Sequence, residues 1–434
     1  MKKLYNKLKL IEKLQPACNI FLSYINKSQL QYYIQNYNNK KYYGLVSNIK
    51  SNMFGSHNYL NSESKDYSSA SSEMLHNFIS PYVSTVFKRM YNHGVLILGK
   101  TNSDEFCSGC WGDTSYYKPS YTLEKELPGG SSSGAILTTL YDLSDVSLGT
   151  DTGGSSRFPA IVCKNNIIGF KPTLGAIPMD GMIQYGDSLD TVGLMGKNID
   201  HIISMFNILK GKNNLDNRSI DINEYQENNK PIKICVLYSQ FFNEKTLQYI
   251  KSNFQNYVIE FISYCDDEDE FLNDVSILYE TISSIEIFSN LQRYESFKYY
   301  KKQVSSYNNV YEEYYNKWNF YGDHIRKKLF QGAYTLSSDR ESYYSAIEFR
   351  SKIFNKFNEL YQKYDYIITP SCIINKDKPY LLDACLMIAN LIQCPSAVFH
   401  IGDNDDDISY SINIMSARKQ DLYLLHFIKK IFIK

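Results

Sequence analysis

The chain has 434 residues, and its 46 Lys and Arg residues balance 46 Asp and Glu residues, so the formal net charge at pH 7 is zero. This length can bury one large core or two ordinary ones without disulfides or metal ions. A neutral chain has no overall basic field that would recruit nucleic acid or an anionic membrane. No stretch approaches the roughly 18 apolar residues of a membrane span, and the first residues lack the apolar core of a secretory signal. These properties predict a soluble protein without membrane contact.

Nine cysteines lie at scattered positions, and Cys107 and Cys110 form the one close pair. A zinc site would need a second such pair or a pair of histidines. The acidic clusters 266–270 and 403–407 lack the alternating ligands, the Gly and the closing Glu of a calcium-binding loop. We therefore predict reduced thiols, solvated acidic loops and no metal site.

Residues 1–9 are basic and contain no acidic side chain. Such an opening fits a remnant of an organelle-targeting peptide, and it fits an exposed helical turn equally well. The composition leaves two compartments open, an organelle (apicoplast, plastid or mitochondrion) and the cytoplasm.

The first half of the chain alternates helical and extended patterns. Residues 80–93 place apolar side chains at helical spacing, with Pro81 in a favourable first turn. Residues 95–98 are an apolar run with the length of a buried strand, residues 135–141 fit a helix, and residues 146–148 fit another strand. Helices that alternate with strands predict an α/β layer architecture.

The second half begins with a polar segment. Residues 211–230 are rich in Asn and Asp and predict a surface linker or insertion, and residues 232–237 then restart a strand. Residues 276–366 fit long Tyr-rich helices, and residues 366–370 fit a strand that ends at a loop. The pattern leaves open a subdomain boundary at the polar segment.

Residues 94–101 satisfy the phosphate-loop pattern G-x-x-x-x-G-K-[ST]. A phosphate loop follows its strand and exposes successive backbone N–H groups to the anion, whereas the four residues between Gly94 and Gly99 are apolar and themselves fit the strand. The predicted helix also precedes the motif instead of following it. The match therefore does not predict a nucleotide-binding site.

Two Gly- and Ser-rich segments, 128–134 and 149–155, each lie between candidate strands and helices. Taken alone, the first of them fits a flexible linker. Sharp turns inside a fold need Gly for positive φ and for close backbone approach. A serine hydrolase uses such turns, because backbone N–H groups beside the nucleophile must converge on the oxyanion. The context therefore favours a hydrolase site with Ser155 as the candidate nucleophile.

A serine becomes nucleophilic only when a base removes its proton. The chain has seven His, none of them in the two segments, and Ser155 is not part of a G-x-S-x-G motif. A lysine kept neutral by desolvation is the alternative base, acting directly or through an intermediate hydroxyl. Lys50 in the apolar-flanked segment 44–52 is a candidate, but the residues alone do not select it.

The paired motifs GGSSSG and GTDTGGSSRFP, at 129–134 and 149–159, resemble the two halves of the amidase signature. Further matches at 99–106, 168–173 and 188–193 extend the resemblance to this amidase signature family. The resemblance implies an α/β fold of three layers, α/β/α, around a large mixed β-sheet. The implied single amidase domain spans 1–434 and comprises an N-terminal helical part (1–45), a signature core with the triad (46–210), the polar linker or insertion (211–230) and a C-terminal part with substrate-binding helices (231–434).

A serine-(cis-serine)-lysine triad performs the chemistry in that family, which implies Ser155 as nucleophile, Ser131 as bridging serine and Lys50 as base. Lys50 would take a proton from Ser131, which relays one from Ser155 as it attacks an amide. The resemblance places the oxyanion hole at four backbone N–H groups, those of Thr152, Gly153, Gly154 and Ser155. It implies no cofactor bound by this chain.

Within the family, several segments are similar to the glutaminase subunits of tRNA-dependent amidotransferases: 104–106, 289–294, 326–334, 383–385 and 390–391. This similarity implies that the chain hydrolyses glutamine and passes ammonia to a synthetase-like partner subunit. The partner, with ATP and Mg²⁺, would convert Glu-tRNA(Gln) to Gln-tRNA(Gln). A small third subunit would complete the complex, and this chain would meet tRNA only through it.

Tyr299, Arg350 and Asp383 would hold the glutamine by the same similarity, since Arg can clamp a carboxylate and Asp can pair with an ammonium. Two alternatives remain, a stand-alone amidase for another small amide and a noncatalytic assembly subunit. The N-terminal part is shorter than is usual in the family, so a helical cap or a targeting peptide is expected to be missing. The chain departs from the family pattern at three serines, Ser51, Ser133 and Ser156.

Overall fold

The structure is a computed structural model, and it describes residues 2–55, 67–227, 230–294, 299, 317–373, 382–401 and 408–432. Strands form two sheets within these residues. In chain order they are β1 (Phe21–Tyr24), β2 (Val46–Lys50), β3 (Leu96–Thr101), β4 (Ser147–Asp151), β5 (Ile168–Lys171), β6 (Thr191–Gly196), β7 (Lys233–Leu237), β8 (Val258–Ile262), β9 (Tyr366–Pro370), β10 (Ser396–His400) and β11 (Ser411–Ser416).

The larger sheet has eight strands in the order β4-β6-β5-β10-β11-β9-β7-β8. Strand β7 pairs in parallel with β8 and β9, and the other neighbours are antiparallel. This is the large mixed sheet that the sequence predicted. The smaller sheet, in the order β1-β3-β2, meets it beside β4, where Val46 N donates to the Asp145 carboxylate at 2.8 Å.

Helices cover both faces of the larger sheet. They are α1 (Lys2–Cys18), α2 (Lys27–Asn36), α3 (Thr85–His93), α4 (Ser133–Leu140), α5 (Phe158–Cys163), α6 (Ile199–Leu209), α7 (Glu244–Asn253), α8 (Glu268–Leu291), α9 (Asp323–Ser338), α10 (Arg340–Tyr361), α11 (Ala384–Leu391) and α12 (Asp421–Phe432). Three short 3₁₀ turns lie at Glu105–Cys107, Ser239–Phe241 and Lys317–Phe320.

Alternation along the strands assigns side chains to the two faces of the sheet. On β9, Ile368 joins a core formed with α3, α6, α7 and α12, whereas Ile367 joins a core on the opposite face with α8, α10 and α11. Strand β7 repeats the pattern with Val236 and Cys235. Since all of these strand side chains are buried, the strands have helices on both sides. The three-layer α/β/α prediction is confirmed.

The N-terminal residues form a folded helix. Helix α1 is 17 residues long and buries Leu4, Leu8 and Ile11 against the body of the protein. Lys7 is buried too, and its Nζ donates to the carbonyls of Asp142 at 2.5 Å and Leu143 at 3.0 Å. The basic opening therefore belongs to a packed helix instead of a single exposed turn.

Helix α3 begins later than the sequence indicated. It starts at Thr85, and Ser84 caps it by accepting a hydrogen bond from Phe87 N at 3.2 Å. Pro81 lies before the helix, outside the first turn where the pattern had placed it. The helix ends at Gly94 with φ of 82°, and β3 follows, so the phosphate-loop match falls on a buried strand as expected.

The first acidic cluster is a helix terminus and not the solvated loop that we predicted. Asp267 caps α8 by accepting from Glu270 N at 2.9 Å, and Glu268 accepts from Tyr264 N at 2.8 Å. Negative charge is favourable at a helix N-terminus because of the helix dipole. The second cluster, 403–407, lies outside the described residues. The nine cysteines all lie within the described residues, and six of them, Cys18, Cys107, Cys235, Cys372, Cys385 and Cys394, are buried.

Helices α8 and α9 approach closely at Gly332. A Cβ atom at this position would overlap the carbonyl oxygen of Ser284 and press on Phe288. The absence of a side chain at Gly332 therefore lets the two backbones touch, which matters because both helices contribute residues to the cavity described below.

We expect Gly332→Ala to destabilise the protein by about 1–3 kcal/mol, because the added methyl forces the two helices apart. Chemical denaturation with urea measures the change. The neighbouring exposed substitution Gln331→Ala should stay within about 0.5 kcal/mol of the parent chain. Equal stabilities for the two variants would show that the helix contact tolerates the extra atom.

Candidate active site

The two Gly- and Ser-rich segments lie side by side. Segment 149–155 ends β4 and turns into α5, and segment 128–134 runs into α4, whose second residue is Gly134. The peptide bond between Gly130 and Ser131 is cis. Ser132 Oγ lies 3.4 Å from the carbonyl oxygen of Thr150 and connects the segments directly. Two motifs that are separate along the chain are thus gathered at one place.

Lys50 ends β2 and points into this junction. Its Nζ donates to Ser131 Oγ at 2.7 Å, to Ser132 Oγ at 3.1 Å and to Thr150 Oγ1 at 3.1 Å. Lys50 and Ser131 are fully buried. All three of these acceptors are hydroxyl oxygens, which can also donate a hydrogen bond to a neutral amine. The structure therefore brings Lys50 and Ser131 together.

A buried ion pair holds the turn that carries Ser155. Arg157 donates from Nε and Nη2 to the two carboxylate oxygens of Asp151 at 3.0 Å and 2.9 Å. Burial alone would raise the pKa of Asp151, but the charge and hydrogen bonds of Arg157 hold it well below its usual range. Asp151 also accepts from Gly154 N at 2.9 Å and from Ser156 Oγ at 2.8 Å.

The same arginine reaches α11. Its guanidinium donates to the Leu386 carbonyl at 2.9 Å and to Asn390 Oδ1 at 2.6 Å. Asn390 Nδ2 in turn donates to Asp151 Oδ1 at 3.1 Å. The network fixes α11 against the turn, and Asp383 directly precedes that helix.

A second buried carboxyl positions Thr152 on the other side of the turn. Asp190 accepts from Thr152 Oγ1 at 2.6 Å and from the backbone N–H groups of Tyr185 at 2.8 Å and Gly186 at 3.1 Å. Burial raises the pKa of Asp190 to about 7. Both ends of the Thr152 to Ser155 turn are therefore anchored by carboxyl groups.

Ser155 opens onto a cavity of about 230 Å³. This volume is below the usual range for drug-sized ligands and suits a small substrate. The lining comes from both signature segments and from α5, α8, α9 and α11. The residues are Cys107, Ser108, Gly109, Cys110, Gly130, Gly153, Gly154, Ser155, Phe158, Tyr185, Ser276, Tyr279, Glu280, His324, Lys328, Asp383 and Met387.

Two glycines are sterically required in this wall. A Cβ at Gly153 would lie 2.5 Å from Tyr279 Cζ, so the Tyr279 ring rests directly on the turn. A Cβ at Gly130 would overlap the Asp104 carboxylate, which accepts hydrogen bonds from Thr114 N at 3.0 Å and Gly112 N at 3.1 Å. Close approach of rings and carboxylates to the backbone thus explains the glycines in the motifs.

The far end of the cavity is charged. Lys328 on α9 donates to Glu280 on α8 in a close ion pair. Burial lowers the pKa of Lys328, but Tyr185 and Glu280 outweigh burial and raise it above its ordinary value. Burial raises the pKa of Asp383 to about 6, with a further contribution from Glu280. The pKa of His324 is lowered by burial and by Lys328, so this imidazole is neutral at pH 7.

Asp383 is the predicted substrate residue that reaches the cavity. Its side chain makes no capping hydrogen bond to α11 although it occupies the N-cap position, and Asp383 lines the cavity.

Tyr299 and Arg350 are not brought to the cavity. Tyr299 packs its ring 5.2 Å from Tyr294 and 5.5 Å from Phe78. Arg350 donates to the Leu391 carbonyl at 2.8 Å and to Ser188 Oγ at 2.7 Å, so its guanidinium is engaged by the protein.

Lys328, Glu280 and Tyr279 are cavity residues that sequence reasoning missed. The segment 326–334 had been singled out, but it begins with three consecutive basic residues. The structure exposes the first two and turns only Lys328 inward, four residues after His324 on the same helical face. Helical spacing relative to the buried Ile325 and Leu329 was the signal that could have selected it.

The three serines that depart from the family pattern all make buried hydrogen bonds. Ser51 Oγ lies 2.9 Å from Ser103 Oγ, Ser133 Oγ donates to Ser120 Oγ at 3.5 Å, and Ser156 Oγ donates to Asp151. None of these hydrogen bonds involves Lys50 or Ser131.

Within the described residues, no group of three or more His, Cys, Asp and Glu side chains is arranged to hold a metal ion. No helix in the described part of the chain is long and apolar enough to cross a membrane.

We expect Arg157→Met to destabilise the protein by about 3–5 kcal/mol, because it leaves the Asp151 carboxylate buried without its counter-charge. Urea denaturation at pH 7 measures the loss. Arg326→Met removes an arginine from an exposed pair with Asp323 and should cost less than about 1 kcal/mol. A loss no larger than that of the control would mean that Asp151 does not depend on Arg157.

The chain is similar to known proteins over most of its length. The A subunit of glutamyl-tRNA(Gln) amidotransferase from Borreliella afzelii strain PKo is 32% identical over 388 residues, which cover 83% of this chain and 79% of that protein. The protein of the same name from Sulfolobus acidocaldarius is 29% identical over 463 aligned residues, covering 99% of this chain and 93% of the relative.

Solved structures share the fold. The same A subunit from Thermotoga maritima superposes with a TM-score of 0.74 at 22% identity, covering 97% of this chain and 89% of the other. Kluyveromyces lactis allophanate hydrolase gives a TM-score of 0.75 at 20% identity, covering 99% and 70%. Residues 62–425 match the family described as Amidase. As the paired motifs indicated, the chain belongs to the amidase family.

Proposed function

We propose that this amidase-family enzyme is the glutaminase subunit of a tRNA-dependent amidotransferase, which converts Glu-tRNA(Gln) to Gln-tRNA(Gln). The observation that carries the proposal is the buried contact between Lys50 and Ser131, next to a small cavity that contains Ser155 and charged groups of both signs. The names of the relatives supply the reaction.

The proposed proton path ends at the hydrogen bond between Lys50 and Ser131. Lys50 accepts a proton from Ser131, and Ser131 accepts one from Ser155 as its oxygen attacks the side-chain amide of glutamine. The protonated relay then protonates the departing ammonia, and water hydrolyses the acyl-enzyme. Lys50 is fully buried, and its Nζ contacts three hydroxyl oxygens, which can donate a hydrogen bond to an amine as well as accept one.

The oxyanion requires backbone donors beside Ser155. We assign Thr152, Gly153 and Ser155 to this role. Gly154 N already donates to Asp151, so its N–H is committed to holding the turn, and we do not count it among the donors. The four-donor set implied by the family resemblance therefore becomes a set of three.

Glutamine carries an ammonium and a carboxylate at the end away from the reacting amide. Asp383 is the carboxylate placed to bind the ammonium, and Lys328 is the ammonium placed to bind the carboxylate. We assign neither charge to Arg350, whose guanidinium is hydrogen bonded to Leu391 and Ser188.

Ammonia released here would pass to a synthetase-like partner subunit, which activates the glutamyl-tRNA with ATP and Mg²⁺. A small third subunit completes the proposed complex, and tRNA is contacted through the complex. The balanced net charge of this chain agrees with a partner that supplies most of the tRNA contact.

Ser155→Ala, Ser131→Ala and Lys50→Met should each lower glutamine-dependent ammonia release by at least about a thousandfold, because each removes a member of the relay. The assay is run with and without the co-expressed partner. Ser252→Ala and Lys251→Met, on the distant helix α7, should retain parent activity.

Three outcomes would redirect the proposal. Parent-like turnover by any of the three relay variants would contradict its role in the relay. Ammonia release from simple amides but not from glutamine would identify a stand-alone amidase. No release under any condition would identify a noncatalytic assembly subunit.

Binding of the glutamine ammonium needs an ionised Asp383. Since the pKa of this carboxyl is raised to about 6, the ionised form predominates above pH 6 and is lost below it. We expect kcat/KM for glutamine to fall about tenfold per pH unit below this value.

Asp383→Asn should lower kcat/KM by about a hundredfold at pH 8 and should remove the acidic limb that Asp383 causes. Asp323→Asn, an exposed carboxyl on α9, serves as the control with an unchanged profile. If kcat/KM of the Asp383→Asn variant still falls below the same pH, a group other than Asp383 is responsible for the titration.

A further inference from the structure

The Lys328 ammonium at the end of the cavity is paired with a carboxylate of the protein. Lys328 donates to Glu280, and its side chain is 11% exposed while that of Glu280 is 43% exposed. Both residues line the same cavity as Ser155 and Asp383. A substrate carboxylate that approaches Lys328 therefore meets the Glu280 carboxylate, which is already in contact with Lys328.

The charges of the cavity sharpen this conflict. The pKa of Lys328 is raised by Tyr185 and Glu280, so Lys328 keeps its positive charge at pH 7, whereas burial lowers the pKa of His324. Glu280 also raises the pKa of Asp383, so the two carboxylates interact across the cavity. A substrate with a carboxylate therefore adds a third carboxyl group beside Glu280 and Asp383, whereas a substrate with only an ammonium does not.

We propose that Glu280 is a specificity-determining residue that competes with the substrate carboxylate for Lys328. This inference deepens the proposed function and rests on its assignment of the cavity as the amide site. Glu280 lowers the advantage of amides that carry an α-carboxylate, such as glutamine, over amides that carry only an ammonium. Glutamine binds by displacing Glu280 towards solvent, which the half-exposed position of Glu280 permits.

The test compares two ligands that differ only in the carboxylate, L-glutamine and 4-aminobutanamide. Their Kd values are measured by isothermal titration calorimetry on the full chain with Ser155→Ala, so that neither ligand is consumed. The same measurements follow with Glu280→Gln added. The ratio of the two Kd values should shift by about tenfold or more in favour of glutamine, because Lys328 no longer has a protein carboxylate as its partner and is available to the carboxylate of glutamine.

Two further variants serve as controls. Glu348→Gln removes a carboxylate from an exposed pair with Lys352 on α10 and should leave the ratio unchanged. Adding Lys328→Met should abolish the effect of Glu280→Gln, because the carboxylates then have no common partner. A ratio that shifts less than threefold with Glu280→Gln overturns the proposal, and so does an equal shift in the presence of Lys328→Met. The proposal is also overturned if neither ligand binds to the Ser155→Ala chain or to the same chain with Glu280→Gln added.

Failure of the proposed function has a different signature. The chain with Ser155 intact would then release no ammonia from glutamine, while the Kd ratio would still report on Glu280. Binding preference and amide hydrolysis are therefore judged separately.

Discussion

The bidentate contact between Asp151 and Arg157 is the interaction on which the rest of the site depends. It closes the turn between β4 and α5, where Gly154 N and Ser156 Oγ also bind Asp151. A buried ion pair compensates its desolvation only with good geometry and further hydrogen bonds, and both conditions are met here. Because the guanidinium also reaches α11, one charge pair sets the separation between the turn that carries Ser155 and the helix that follows Asp383.

Lys50 lies in a contrasting environment on the other side of Ser155. Its Nζ donates to hydroxyl groups, whereas the charge of Arg157 is met by a carboxylate. A carboxylate beside Lys50 would fix its positive charge and oppose proton uptake. The two basic side chains buried in the site therefore have different surroundings. Arg157 is paired with a carboxylate and has a structural role, whereas Lys50 contacts hydroxyl groups and, in our proposal, is the base.

The sequence predicts those parts of the protein that local pattern determines. The strands β3, β4, β7 and β9 lie within a few residues of their apolar runs, and the paired Gly and Ser motifs mark the turns correctly, because close backbone contacts restrict them to small residues. The first residues of helices were harder to predict. Ser84 and Asp267 cap α3 and α8 through their side chains, whereas Pro81 had indicated an earlier start for α3 and the acidic run 266–270 had indicated a loop.

The cavity wall was the part that pattern could not supply. Arg350 carries suitable chemistry, but which face of the long helix α10 points inward depends on packing. Packing also decides that Gly332 sets α9 against α8 and turns Lys328 towards Glu280. Ser131 and Ser155 lie on turns held by backbone contacts, whereas Lys328 and Glu280, which in our proposal respond to the substrate carboxylate, lie on these two helices. Changes of charge at Lys328 and Glu280 can therefore alter which amide is bound without moving the turn that carries Ser155. A separation of this kind lets one amidase fold serve different amides, and our proposal assigns the selection for or against a substrate carboxylate in this chain to the α8–α9 pair.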